Sequence, residues 1–398
     1  MTRRIALFTA TRAEYGLLRP VARAMRRIGG LEPLWIVGGA HLSSRLGATA
    51  AEIEADGEPI AVRMYTAPRD DTPAAIAEAA ARTLDETARA LAQLDPAALI
   101  VLGDRTELLG AASAAVCLGV PLVHLEGGHV TEGAVDDRVR HAVSKLADLH
   151  LTAHETYARR LRQLGEPPER VFVVGSTGLD DLLSVPRVSR DEAAARLGVD
   201  LGPGHVLVAW HPETLSPRSP RQAVRAVLEG VVRSAGERRL ILTSPNADAG
   251  REAVQAELED FVSRHPGRAF LFPSLGRERW AAALATAQAL AGNSSAGVIE
   301  APALGVPAVN VGDRQKGRLR PPGVIDCAVS ADAVADALAK ALDPTFRAGL
   351  SPDPLADGRA ADRIAAVLAQ ADFQALRRKP FVDQALTDGR AAAPTTGL

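Results

Sequence analysis

Short apolar runs containing β-branched residues alternate along the chain with longer Ala, Leu, Arg and Glu segments of helical length. In the first half the runs fall at 4–10, 33–38, 98–103, 121–126, 149–153 and 171–175, and helical patterns fill 17–28, 72–94, 106–118, 134–147 and 155–164. This is the pattern of a parallel sheet with crossover helices, and the Ala- and Leu-rich stretch from Ala74 to Leu94 reads as an outer helix. After Gly175 to Asp180 comes a short helix, then a linker from Val185 and an N-capped helix opening near Ser189. A second series follows, with strands at His205–Trp210, 240–243, 269–272, 287–291 and 308–311. Segments 358–372 and 373–378 read as helical, and 391–398 as a frayed tail. The expectation is an α/β chain of two Rossmann-type, doubly wound parallel-sheet domains facing each other across a cleft. Their expected bounds are 1–185 and 186–372, with 373–398 as a terminal helix and tail.

Composition changes little in this picture. The chain has 398 residues, and at about 150 residues per domain that favours two or three domains. It is 47% hydrophobic and 24% charged, the balance of an ordinary globular enzyme. The formal charge of −2 argues against a nucleic-acid partner. Two cysteines, Cys117 and Cys327, lie far apart on segments that read as buried, which suggests a reducing compartment without disulfides. The apolar run after Met1 is too short for a signal peptide, and no uncharged stretch of eighteen apolar residues occurs, so a cytoplasmic protein without a membrane partner is expected.

The chemistry gathers at strand ends, where open α/β sheets bind their ligands. Thr11-Arg12-Ala13-Glu14-Tyr15-Gly16 leads from the first strand into a helix, and a helix N-terminus beside an arginine suits a diphosphate. It has neither G-x-G-x-x-G spacing nor a phosphate-loop lysine, so a dinucleotide fingerprint has no support. The next ends read Gly103-Asp104-Arg105 and His124-Leu125-Glu126-Gly127-Gly128-His129. Then Asp136-Asp137-Arg138-Val139-Arg140-His141 opens a helix that either aspartate could cap. Acids at neighbouring strand ends could supply the acid and base of a proton transfer. The histidine spacing does not fit a metal site. In the second half, Trp210-His211-Pro212-Glu213 and Ser244-Pro245-Asn246 close strands. There Gly292-Asn293-Ser294-Ser295 puts a Ser-Ser helix N-terminus where phosphate oxygens would bind, with Glu300 following for a sugar hydroxyl.

These motifs, with Arg314-Gln315-Lys316-Gly317-Arg318, resemble in order over roughly 4–320 the hydrolysing UDP-N-acetylglucosamine 2-epimerases of the sialic-acid and legionaminic-acid type. The resemblance implies a GT-B-like pair of domains and no cofactor. It implies a UDP-sugar or related nucleotide-sugar substrate, anti elimination of UDP to a 2-acetamidoglucal, hydration to N-acetylmannosamine, and a homodimer or homotetramer. By motif position it assigns catalysis to Asp104, Glu126, Asp136, Arg140 and His211, and substrate binding to Arg12, Ala13, Arg105, Gly128, His129, Asn246, Leu275, Ser294, Ser295, Glu300 and Arg314. The hydrolysing branch usually has an acid after the paired glycines and often a histidine before them. Here those positions hold His129 and Glu126. The alternatives are a non-hydrolysing epimerase and a GT-B glycosyltransferase.

Overall fold

The computed structural model describes residues 2–46, 48–70, 72–130, 135–213, 218–245, 250–350 and 356–383. The chain divides into two compact units. The first holds a seven-stranded sheet of β1 (Arg3–Thr9), β2 (Leu31–Val37), β3 (Ile60–Arg63), β4 (Ala98–Leu102), β5 (Leu122–Leu125), β6 (Leu149–Thr152) and β7 (Val171–Val173). Its spatial order is β3-β2-β1-β4-β5-β6-β7, and neighbouring strands pair in parallel. The second holds β8 (His205–Ala209), β9 (Arg239–Thr243), β10 (Ala269–Phe272), β11 (Ala289–Gly292), β12 (Ala308–Val311) and β13 (Val324–Cys327), in the order β10-β9-β8-β11-β12-β13, again parallel. Two doubly wound α/β domains are therefore what the hydrophobic pattern encodes. Strands β4 and β8 are buried at every position, as strands covered on both faces by helices must be, and this is why they read as unbroken apolar runs.

Both sheets reverse direction of growth once. In the first, the chain runs outward from β1 through β2 to β3, then returns to lay β4 on the other side of β1. In the second, it runs from β8 to β10 and returns to lay β11 beside β8. Such switch points leave a crevice at the carboxyl ends of the two central strands. The crevices are flanked by the segments after Thr9 and Leu102 in one unit and after Ala209 and Gly292 in the other.

Several expectations are corrected. Strands β3 and β13 are additions to the expected set, because each is a four-residue edge strand with half-buried and exposed positions and none fully buried. Among the described residues the first unit comprises 2–129, 135–175 and 362–383, and the second 130 and 176–361, so the division falls near 175 rather than 185 and residues 362–372 belong with the first unit. The tail helices run Ala360–Gln370 and Phe373–Leu376, and the expected fraying at 391–398 lies outside the described residues. Cys117 is exposed and Cys327 half-buried, since Cys117 sits in the last turn of the helix Glu107–Leu118. No described helix is long and apolar enough to cross a membrane.

Candidate active site

In the first unit the site grows from strand ends. The helix Arg12–Ile28 opens on Thr11, whose hydroxyl accepts from the Glu14 amide. The Glu14 carboxylate in turn accepts from the amides of Ala10 at 2.7 Å and Thr11 at 2.9 Å, closing a capping box. Burial pushes the Glu14 carboxyl up to about 7, against the pull of these amides and of Arg105. Arg12, one residue inside the helix, is exposed and meets Glu52 at 3.1 Å, and Ala13 beside it is exposed. After β4, Gly103 takes a left-handed φ of 87° and turns Asp104 and Arg105 outward along the crevice. Arg105 is bonded to the buried Glu107 at 2.9 Å.

Arg140 is the hub. It lies on the helix Val135–Leu146, is only 4% exposed, and donates to Asp104, to Asp137 at 3.1 Å and to the carbonyl of His129 at 3.0 Å. The helix starts at Val135, so Asp136 and Asp137 form its first turn instead of capping it, where carboxylates favour the helix dipole. The Asp136 residue is exposed overall, yet partial desolvation of its carboxyl, and next the charge of Asp104, hold it above the usual carboxylate range. Asp104, Asp136 and Arg140 are thus brought together.

Glu126 and His129 complete this cluster. Glu126 has a φ of 62°, rare for a glutamate, and His129 Nε2 stands 2.9 Å from its Oε2. The two positions where the chain departs from the hydrolysing pattern are therefore in direct contact. The His129 ring stacks on Tyr157 with centroids 3.8 Å apart, and Arg160 lies over Tyr157 while donating to the Gly128 carbonyl at 3.2 Å. Beneath them, buried His124 bridges the Gly103 carbonyl at 2.8 Å and the Ser144 hydroxyl at 3.0 Å, and burial drives its imidazole down to about 3. Tyr157, Arg160, His124 and Glu14 went unassigned from sequence.

In the second unit, β8 and β11 approach so closely that a Cβ on Gly292 would lie 2.0 Å from the Ala209 carbonyl oxygen. Asn293 continues the ladder with its side chain, accepting from the His211 amide at 2.7 Å and donating to the His211 carbonyl at 2.8 Å. His211 is thereby fixed at the switch point. The Asn293 carbonyl accepts from Gln315 at 2.9 Å and Arg314 at 3.4 Å, and Glu213 accepts from the Arg314 amide at 3.3 Å. The expected Ser-Ser helix N-terminus is a single 3-10 turn, Ser295–Gly297, with Ser294 as its N-cap. Glu300 accepts from the Trp280 indole at 2.6 Å, and burial raises its carboxyl. Leu275 is buried in the core. Asn246 lies outside the described residues. Among the described residues, no group of three or more His, Cys, Asp or Glu is arranged to hold a metal ion.

The comparisons with known proteins agree with this architecture. A family model described as UDP-N-acetylglucosamine 2-epimerase matches residues 23–369. The GDP/UDP-N,N'-diacetylbacillosamine 2-epimerase (hydrolyzing) of Campylobacter jejuni is 33% identical over 82% of this chain and 85% of its own length. The UDP-N,N'-diacetylbacillosamine 2-epimerase (hydrolyzing) of Legionella pneumophila is 34% identical over 86% and 90%. In three dimensions, the chain is similar to the Neisseria meningitidis UDP-GlcNAc 2-epimerase solved with UDP-GlcNAc. That likeness has a TM-score of 0.73 at 14% identity and covers 92% of this chain and all of that one.

Proposed function

The chain belongs to the UDP-N-acetylglucosamine 2-epimerase family, and from that premise we propose that it is a hydrolysing nucleotide-sugar 2-epimerase. Its substrate is UDP-N-acetylglucosamine or a closely related UDP- or GDP-linked acetamido sugar. The products are an N-acetylmannosamine-type sugar and the nucleoside diphosphate, formed by anti elimination to a 2-acetamidoglucal followed by hydration. The observation that carries this reading is the placement of Asp104 and Glu126 after the neighbouring strands β4 and β5 and of Asp136 in the first turn of the helix Val135–Leu146, with buried Arg140 tying Asp104 to the His129 carbonyl.

Loss of the C2 proton needs a positioned carboxylate, and a second acid must protonate oxygen or carbon later in the cycle. Asp104, Glu126 and Asp136 are the groups assigned to these transfers. An Asp136 carboxyl held above its usual range keeps its proton more readily than a fully solvated aspartate. Arg12, Arg105, Ser294, Ser295 and Arg314 are assigned to the diphosphate, whose negative charge grows as the C1–O bond breaks. His211, fixed through Asn293, Glu300, Asn246 and the Leu275 backbone complete the nucleotide and sugar contacts. Ala13 and Gly128 give close backbone approach. We place the enzyme in the cytoplasm, in amino-sugar synthesis of the sialic-acid type, as a homodimer or homotetramer.

Product analysis with a panel of nucleotide sugars tests this. Free mannosamine-type sugar plus nucleoside diphosphate is expected, with one deuterium at C2 when turnover runs in deuterated water. Glu126→Gln should lower kcat by roughly two to four powers of ten. A product keeping its original C2 hydrogen would exclude the mechanism. Glu126, which stands where the hydrolysing branch often has histidine, favours one second reading, a non-hydrolysing epimerase. That enzyme would yield a UDP-mannosamine mixture instead.

A further inference from the structure

We infer that His129 and Glu126 work as one acid–base unit, in which His129 carries protons between the Glu126 carboxylate and solvent; the inference rests on the elimination–hydration reading above. Two contacts fix the imidazole and two more fix the backbone that carries it. Its Nε2 is 2.9 Å from Glu126 Oε2, and its ring lies nearly parallel to Tyr157, at an interplanar angle of 22°. Its own carbonyl is held by Arg140 at 3.0 Å, and the preceding Gly128 carbonyl by Arg160 at 3.2 Å. The turn itself is locked, because Gly128 takes a φ of 82° where a Cβ would sit 2.4 Å from the Tyr157 carbonyl oxygen. Glu126 and His129 therefore face each other across Gly127-Gly128 with little freedom to part. The histidine side chain is 25% exposed against 16% for the glutamate, so the imidazole is the more open of the two.

The reaction requires such a carrier. Inverting C2 takes a proton from one face of the sugar and delivers another to the opposite face, so the first must leave and the second must be replaced in each turnover. In the elimination, the Glu126 carboxylate takes the C2 proton. The C2–H electron pair becomes the C1–C2 double bond, and the C1–O bond breaks with its electrons departing on the diphosphate. The Glu126 carboxylic acid then passes its proton to the neutral His129 imidazole, and the resulting imidazolium releases it to water. Carboxylate and imidazole are both restored, and nothing else is consumed. Where Glu126 serves as the acid, the same atoms carry the proton inward. Imidazole is the side chain whose ordinary titration lies nearest neutrality, which suits it to this exchange.

His129→Gln keeps a donor for Glu126 but cannot carry a proton. Nucleoside diphosphate release by this variant should show kcat lowered by roughly a hundredfold or more with KM little changed. Added imidazole should restore much of the loss, in proportion to its concentration, and leave the unmodified enzyme unaffected. An unchanged kcat, or a raised KM with no response to imidazole, would overturn the inference and make His129 a sugar contact. The unmodified enzyme gives an independent reading that needs no variant. In mixtures of light and heavy water its kcat should fall along a bowed curve, the mark of more than one proton in motion, whereas a straight line counts against the relay. An unmodified enzyme that releases no nucleoside diphosphate from any nucleotide sugar refutes the proposed function itself. Release by a fully active His129→Gln refutes the relay alone.

Discussion

Arg140 serves three acceptors with one side chain, the carboxylates of Asp104 and Asp137 and the His129 carbonyl. A planar guanidinium can do this from a buried position, and a lysine ammonium cannot match the fork. Arg140→Lys should therefore lower kcat at least tenfold through misplaced acids, and cost about 1–3 kcal/mol because half-buried acceptors lose a charged donor. Kinetics together with urea unfolding would check both, and an unchanged kcat would reduce Arg140 to a packing role. The places of Asp104 and Glu126 are legible in the sequence because each follows a buried strand in short polar, glycine-marked text, and Asp136 and Arg140 fall in the helical run that comes next. Tyr157 and Arg160 were not. They reach His129 from a separate helix, Glu155–Gln163, and a through-space stack leaves no local spacing in the sequence.

At the level of elements, the joint between β8 and β11 depends on two adjacent residues. Gly292 admits the close approach of the strands, and Asn293 replaces the missing backbone pairing with its amide. Asn293→Ala removes two hydrogen bonds, one from the His211 amide and one to its carbonyl. It should destabilise the protein by about 1–3 kcal/mol, since each hydrogen bond contributes about 0.5–1.5 kcal/mol net, and it should weaken UDP binding in calorimetric titration. Full UDP affinity in a folded variant would show that His211 needs no such fixing. The central strands were readable from composition alone because burial on both faces makes them continuously apolar. The edge strands β3 and β13 were missed for the complementary reason, since half-buried positions carry little hydrophobic signal.

Over the whole molecule, buried titratable groups set the response to pH. Burial drives His41 down to about 4 and His124 to about 3, whereas an unfolded histidine takes its proton near 6.5. From about 6.5 downward the unfolded chain binds more protons than the folded one, so these two histidines make stability fall with pH. Glu14, raised to about 7, acts with the opposite sign between 4.5 and 7, because there the folded state is the one that keeps the proton. Burial also holds His150 and His205 down and raises Asp136, Asp148 and Glu300, but the unfolded histidines take their protons within the window from pH 7 to 5, whereas the acids ordinarily titrate below it. The protein should therefore be less stable at pH 5 than at pH 7. Urea midpoints at the two values measure this, and a higher midpoint at pH 5 would contradict it. The sequence could place these histidines in or beside apolar strands but could not show their ring partners. The division of the chain carries a different consequence. Residues 362–383 rejoin the first unit, where Arg3 holds the carbonyls of Ala369 and Ala371, and Lys379 reaches the buried Glu166 at 3.0 Å. The second unit is thus an insertion, complete before the first. On the ribosome, where the chain emerges from its amino end, the unit begun earliest is the last to close, and its half-built sheet must await the final helices.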